Sequence, residues 1–164
     1  MVNIEALETV HFSDVLRINA SADGAVFQLD QRELSRLTAI SSAHRVAVGA
    51  DGFIQGYLLA FFRDDPYDGE EFLALRSSIG QPFVYIDQVA VERRFRRAGT
   101  GRRLYEELAS RGRNDGARVL CCEVNIVPPN PDSLAFHRRM GFRELGQLST
   151  SDGRTAALVA AIRP

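Results

Sequence analysis

The sequence predicts a mixed α/β domain, and three observations carry that prediction. Strand-like and helical stretches alternate along the chain. Two strongly apolar runs, residues 83–91 and 118–124, flank one amphipathic helical stretch. Two turn signatures, Ala50-Asp51-Gly52 and Ser151-Asp152-Gly153, each join a pair of β-rich runs. The strand, helix, strand succession implies a parallel strand pair with a right-handed crossover. At 164 residues, 45% apolar and 9% aromatic, the chain has the length of one domain and the material for a core. No repeat, low-complexity tract or linker divides it, so residues 1–164 are expected to form a single domain.

Residues 13–19 read as a short helix with Ser13 or Asp14 near its start. Asp30, followed three residues later by Glu33, is a capping-box-like start for a second helix running to about Ile40. Residues 45–49 and 53–62 form a hairpin about the first turn. Residues 64–82 contain Asp-Asp-Pro, Tyr-Asp-Gly and Gly80-Gln81-Pro82, and read as a long loop with a helical turn around residues 72–76. Loops of this length often act as lids or binding loops. After strand 83–91 comes an arginine- and glycine-rich turn, then a helix over 101–113 with Leu104 and Leu108 on its apolar face. Strand 118–124 precedes a helix over 130–140, which Gly141 ends in the left-handed conformation. Residues 142–148 and 155–162 complete a C-terminal hairpin.

All twenty basic residues are arginine, set against twenty-one acids for a net charge of −1. With no lysine, a Schiff-base enzyme, a Walker-type phosphate lysine and a catalytic lysine base are all excluded. An anionic partner must be met by arginine or by backbone N–H groups. There is no global basic field for nucleic acid or anionic lipid. Cys121 and Cys122 are adjacent and have no spaced partners, and His11, His44 and His137 are scattered. Neither a disulfide framework nor a metal site is expected. The first residues lack a signal-peptide pattern and no apolar run is long enough to span a membrane, so a reducing cytoplasm is the expected location.

The most informative stretch is Val89-Ala90-Val91-Glu92-Arg93-Arg94-Phe95-Arg96-Arg97-Ala98-Gly99-Thr100-Gly101-Arg102-Arg103-Leu104. A strand leads through glycines into a helix start, which aims amides and the positive end of the helix dipole at one point. Residues 93–103 carry +6, leaving −7 on the rest of the chain, so an anion site here would be local. A Rossmann fingerprint needs a third glycine that is absent, and a Walker loop needs lysine. What remains, Arg96-x-x-Gly99-x-Gly101 after Val-Ala-Val, resembles the pyrophosphate loop of the GNAT superfamily of N-acetyltransferases. The downstream Asn130-x-x-Ser133-x-x-Phe136-His137-x-x-x-Gly141-Phe142 is similar to that family's next motif. The likeness covers residues 83–148 closely and the rest through element order alone.

The resemblance implies an α+β fold: a mixed, mostly antiparallel sheet flanked by helices, with a splayed parallel strand pair that binds acetyl-CoA. Arg96, Arg97, Ala98, Gly99, Thr100 and Gly101 would cradle the pyrophosphate, and Arg102 would touch the 3′-phosphate or stay solvated. Val89 and Val91 would pair with the pantetheine arm as an added strand does. Asn130 and Ser133 would contact the cofactor, with Asn130 equally a helix cap. In much of the family a tyrosine stands where this chain has His137. A histidine there would donate the proton to the leaving thiolate, with a pKa of about 6.5 making activity more pH-sensitive, or would pack beside Phe136 and cap the pocket.

Two carboxylates are candidates for the base. Glu123 stands in a Glu-Val pair like that of members acetylating protein N-termini, although two extra residues near Pro128-Pro129 separate it from the next helix. Asp87 alternates with Tyr85 and Val89, which places all three on one face, and a base acting through water is a further alternative. Tyr85 and Asn125 are candidate substrate contacts, Asn125 also a turn cap. The cysteine pair reads as core packing, so direct transfer is favoured over a covalent acyl-cysteine. The expected activity is acetyl transfer from acetyl-CoA to a primary amine, a small molecule or a peptide N-terminus. The partners are then acetyl-CoA and that amine, with no metal, nucleic acid or membrane. An exposed C-terminal hairpin can pair across a homodimer. The competing class is a non-catalytic acyl-CoA-binding sensor or scaffold.

Overall fold

A computed structural model describes residues 1–22 and 24–162. Seven strands form one sheet: β1 (Asn3–Ala6), β2 (Arg45–Val48), β3 (Ile54–Phe62), β4 (Phe83–Val91), β5 (Val119–Val127), β6 (Arg143–Ser149) and β7 (Thr155–Ile162). Their order is β1-β2-β3-β4-β5-β7-β6, and every pairing is antiparallel except β4 with β5. The five α-helices are α1 (Phe12–Ser21), α2 (Gln31–Ile40), α3 (Glu70–Ser78), α4 (Thr100–Asn114) and α5 (Pro131–Arg139). This is the mixed, mostly antiparallel architecture expected, with the crossover through α4 joining the parallel pair.

The sheet separates two cores. On one face Val15 and Ile18 of α1, Leu34 and Leu37 of α2, and Phe72 and Leu75 of α3 pack on Tyr57, Leu59, Phe61, Phe83, Tyr85 and Cys121. On the other, Leu104, Tyr105 and Leu108 of α4 pack with Val84, Ile86, Leu120, Cys122, Met140 and Phe142. Each core side chain of this size is worth about 1.5–3 kcal/mol of burial. The adjacent cysteines therefore point into different cores, and both are buried and free.

At the start of α2 the Asp30 side chain accepts the Glu33 amide at 2.7 Å, while the Glu33 carboxylate is spent on Arg36 at 2.7 and 2.9 Å. Half of the capping box is thus realised. Gly141 has φ 87°, the left-handed stop expected after α5.

Three expectations are corrected. Residues 70–78 form a full nine-residue helix where a loop with one helical turn was expected, because Phe72 and Leu75, three residues apart on one helix face, are buried completely in the first core. Strand β1 was not anticipated; four residues long, it forms by pairing with β2. Val89 does not share a face with Tyr85 and Asp87. Leu59 pairs with Gln88 and Ala60 with Ile86, so Asp87 is the extra residue of a bulge. Alternation resets there, turning Val89 toward the second core and Gln88 and Ala90 toward the first side.

The parallel pairing of β4 with β5 runs only from Phe83↔Val119 to Ile86↔Cys122. Beyond it the two strands diverge, each held on its outer side, β4 by β3 and β5 by β7. The edges of residues 87–91 and 123–127 that face each other make no ladder.

Candidate active site

The divergence opens a cleft of about 1150 Å³. Its walls are Asp87, Gln88, Val89 and Val91 of β4 and Cys122 to Asn125 of β5, and its floor includes Tyr105, Phe136 and His137. The arginine–glycine turn closes one end, and Phe27 and Arg154 stand at the other.

After β4 a short 3₁₀ turn, Arg93–Phe95, leads into the arginine–glycine turn. Arg97 (φ 64°) and Gly99 (φ 87°) are both left-handed, and Gly99 caps α4. A positive φ at Gly99 carries no Cβ penalty, which is why glycine is required there. Among the described residues no carbonyl or side chain takes up the amides of Ala98 to Arg102; the first helical bond is Arg103 N–H to Gly99 O at 3.0 Å. These amides sit at the positive end of a fifteen-residue helix, which suits an anion. Gly101 faces Phe136 and Val91 across the turn. The Arg96 guanidinium donates to the Val91 carbonyl at 3.0 Å, pinning the turn to the end of β4. Thr100 is buried and donates to Gln55, whereas Arg97 and Arg102 are exposed on the cleft wall.

The two carboxylates meet through tyrosine hydroxyls. Tyr85 Oη donates to Glu123 Oε2 at 2.6 Å and lies 3.4 Å from Asp87 Oδ1, while Tyr67 Oη donates to Asp87 Oδ1 at 2.8 Å. Burial pushes the Asp87 carboxyl up to about 6, against the lowering by Tyr67 and Tyr85 and with the help of nearby Glu71. Burial, then Asp87 and then Glu71 push Glu123 well above the carboxylate range. Two carboxyls this close cannot both ionise cheaply, so the pair titrates as a unit and holds one proton near neutrality. Tyr85 is fully buried and does not line the cleft. It orders the carboxylates from behind the cleft surface, where a substrate contact was expected.

His137 is buried on the opposite side of the gap, at 4% exposure. Its Nδ1 lies 2.7 Å from the Ser133 carbonyl, which can only accept, so Nδ1 carries the proton. Its Nε2 then accepts the Tyr105 hydroxyl at 2.8 Å. Burial pushes its pKa down, so the imidazolium expected of a direct proton donor is disfavoured. Tyr105, on α4, is equally buried, and burial, Cys122 and Glu123 push its phenol well up, keeping it protonated. Asn130 caps α5 through the Ser133 amide at 3.3 Å and also lines the cleft, so both of its alternatives remain compatible. Ser133 lines the cleft beside it.

Asn125 reaches the cleft mouth, where its Oδ1 accepts from Arg154 Nη1 at 2.9 Å. Arg154 also engages Glu71 at 2.8 Å and Asp152 at 2.8 Å. Sequence reasoning missed Tyr67, Tyr105, Arg154 and Phe27. Tyr105 alone had a local signal, since it follows Leu104 on the helix that the turn begins. The others come from segments without a motif.

An open turn of amides, an unladdered strand pair and a linked set of carboxyl, phenol and imidazole groups thus surround one cleft. The acetyltransferase (GNAT) family model matches residues 13–142, and the chain belongs to that family. No curated protein sequence matches it. Its fold is similar to that of Ard1 from Thermoplasma volcanium, with TM-score 0.77, 19% identity and coverage of 99% of this chain and 98% of that one. It is also similar to the ribosomal-protein-S18-alanine N-acetyltransferase from Escherichia coli, with TM-score 0.74, 19% identity and coverage of 100% and 96%. A third neighbour is Arabidopsis thaliana Naa50 in complex with the bisubstrate analogue CoA-Ac-MVNAL, with TM-score 0.71, 15% identity and coverage of 97% of each chain.

Proposed function

We propose that the protein is an acetyl-CoA-dependent N-acetyltransferase that moves the acetyl group directly to a primary amine. The observation that carries this reading is the convergence, in one cleft, of the open amides at 98–102, the unladdered edges of β4 and β5, and a half-buried carboxylate pair facing a protonated phenol. The residues present fit acetyl-CoA: Arg96 to Arg102 offer backbone donors and positive charge to its phosphates, and Val89 and Val91 lie on a strand edge that can pair with an extended amide arm. Asn130 and Ser133 line the same wall. When bound, acetyl-CoA supplies the acyl thioester.

The chain's own groups then handle two protons. The Asp87–Glu123 pair takes one from the incoming ammonium, directly or through water, because a carboxylate with a pKa near 6 is ionised yet basic enough at neutral pH. Tyr105 turns its one proton from His137 Nε2 to the departing sulfur as the C–S bond breaks, and regains one from the newly acylated nitrogen. His137 accepts from Tyr105 and holds the phenol in place, a positioning role. Cys121 and Cys122 are kept as thiols by burial, which raises both, so a covalent acyl-cysteine is not part of the scheme.

Calorimetry tests the cofactor site. Wild type should bind acetyl-CoA at micromolar Kd or better, and Gly99→Glu, which puts a carboxylate and a strained φ on the amides, should abolish binding; equal affinity would remove the assignment. Thiol release with a panel of amines separates an enzyme from a silent acyl-CoA sensor. In that assay Tyr105→Phe should lower kcat on the order of 10²-fold with acetyl-CoA affinity within about threefold. A Tyr105→Phe enzyme of full kcat would take the proton donor out of the scheme.

A further inference from the structure

The geometry points to a gate at the acceptor end of the cleft, made by Phe27 and Arg154, that admits a small free amine and bars the N-terminus of a polypeptide. The inference rests on the acetyltransferase reading above and names the substrate class of the same site. The Arg154 Cζ lies 4.8 Å from the centre of the Phe27 ring, a closed contact. Phe27 belongs to the α1–α2 connection and Arg154 to the turn before β7, so the contact reaches from one wall of the cleft to the other.

Both sides are anchored to the strands that diverge. The Phe27 carbonyl accepts from Asn19 Nδ2 at 2.8 Å and from Gln88 Nε2 at 3.1 Å, and Asn19 and Gln88 are buried. Gln88 is on β4. Arg154 donates to Asn125 of β5 at 2.9 Å, to Glu71 of α3 at 2.8 Å and to Asp152 at 2.8 Å. The turn carrying it is tied a second time, since Ser151 donates its amide (3.1 Å) and hydroxyl (3.0 Å) to Glu70 of α3. The contact thus rejoins, at the mouth, the strands that separate below it.

A peptide whose amino group sits at Asp87 and Glu123 must leave the cleft in extended form. It needs a passage about 4.7–5 Å wide beside any neighbouring backbone, and it advances roughly 3.3 Å per residue. A ring and a guanidinium in contact stand on the line such a chain would take between the two walls, and an amine short enough to stay beneath them does not meet it. The single negative charge on the carboxylate pair suits one ammonium group.

Binding of two CoA conjugates tests the gate without relying on turnover. One carries methylamine on its acetyl carbon and the other a tetrapeptide by its amino terminus, and each is titrated by calorimetry alongside CoA. Wild type should bind the tetrapeptide conjugate at least tenfold more weakly than the methylamine conjugate. Phe27→Ala, at an exposed side chain, and Arg154→Ala should each narrow that ratio at least tenfold, and the Phe27 variant keeps the test sound if loss of Arg154 disturbs folding. Wild type gaining affinity from the tetrapeptide, or a ratio unmoved in Phe27→Ala, would overturn the gate. Loss of binding to CoA and both conjugates together would instead bring down the acetyl-CoA reading on which the gate rests.

Discussion

Asp87 concentrates the chemistry of one residue. Its folded pKa of about 6 against an ordinary 3.8 means the native state keeps a proton that the unfolded chain loses. Stability therefore falls as pH rises through 3.8 to 6, and the cost is fully present above that range. Asp87→Asn should be more stable than wild type at pH 8, by on the order of 1–3 kcal/mol in denaturant melts. The same variant should lose the rising limb near pH 6 in kcat/KM and on the order of 10²-fold of the rate. Stability gained with activity lost is the signature of a functional strain site; a variant less stable at pH 8, or one that keeps the limb, would contradict this account. Asp87, Glu123 and the glycine turn were legible in the sequence because an acid in an apolar strand and a glycine before a helix each need a reason. Tyr67 and Tyr105 were not, since their hydroxyls matter only once the fold brings them to Asp87 and His137.

Among elements, α3 shows where local pattern fails. A run ending in Ser77 and Ser78 with acids at its start reads as a loop, yet the face carrying Phe72 and Leu75 is what the first core selects. Phe72 meets the rings of Phe61, Tyr67, Phe83 and Tyr85 at centroid distances of 5.4–6.4 Å. Phe72→Ala should cost about 3–5 kcal/mol in thermal or denaturant unfolding, and it should weaken turnover beyond the loss of folded protein because Tyr67 loses its support. A cost below 1 kcal/mol would mean the helix is dispensable. Strands β2 to β7 and the helices α2, α4 and α5 were readable from period and caps. The bulge at Asp87 was not, because a period-two pattern cannot announce where it is interrupted.

For the molecule as a whole, two buried histidines set the acid limit. His44 sends Nε2–H to the Leu37 carbonyl and accepts the Ala60 amide on Nδ1, and burial lowers its pKa as it does for His137. The unfolded chain takes up protons at about 6.5 while the native state does not, so these groups withdraw stability as pH falls below that value. The carboxylate pair returns some over the same range. Differential scanning calorimetry from pH 7 to pH 5 should therefore show a steeper fall in Tm for Asp87→Asn than for wild type; parallel curves would refute the compensation. The opened seam between β4 and β5 has its own consequence at this scale. A sheet normally leaves its unmatched edge at the rim, where neighbours can stick to it; here the unfinished edge lies in the middle of the molecule. Whatever fills it completes the architecture as a missing plank completes a floor, so occupancy and rigidity become one property, and the heat resistance of the protein becomes a gauge of how much ligand surrounds it.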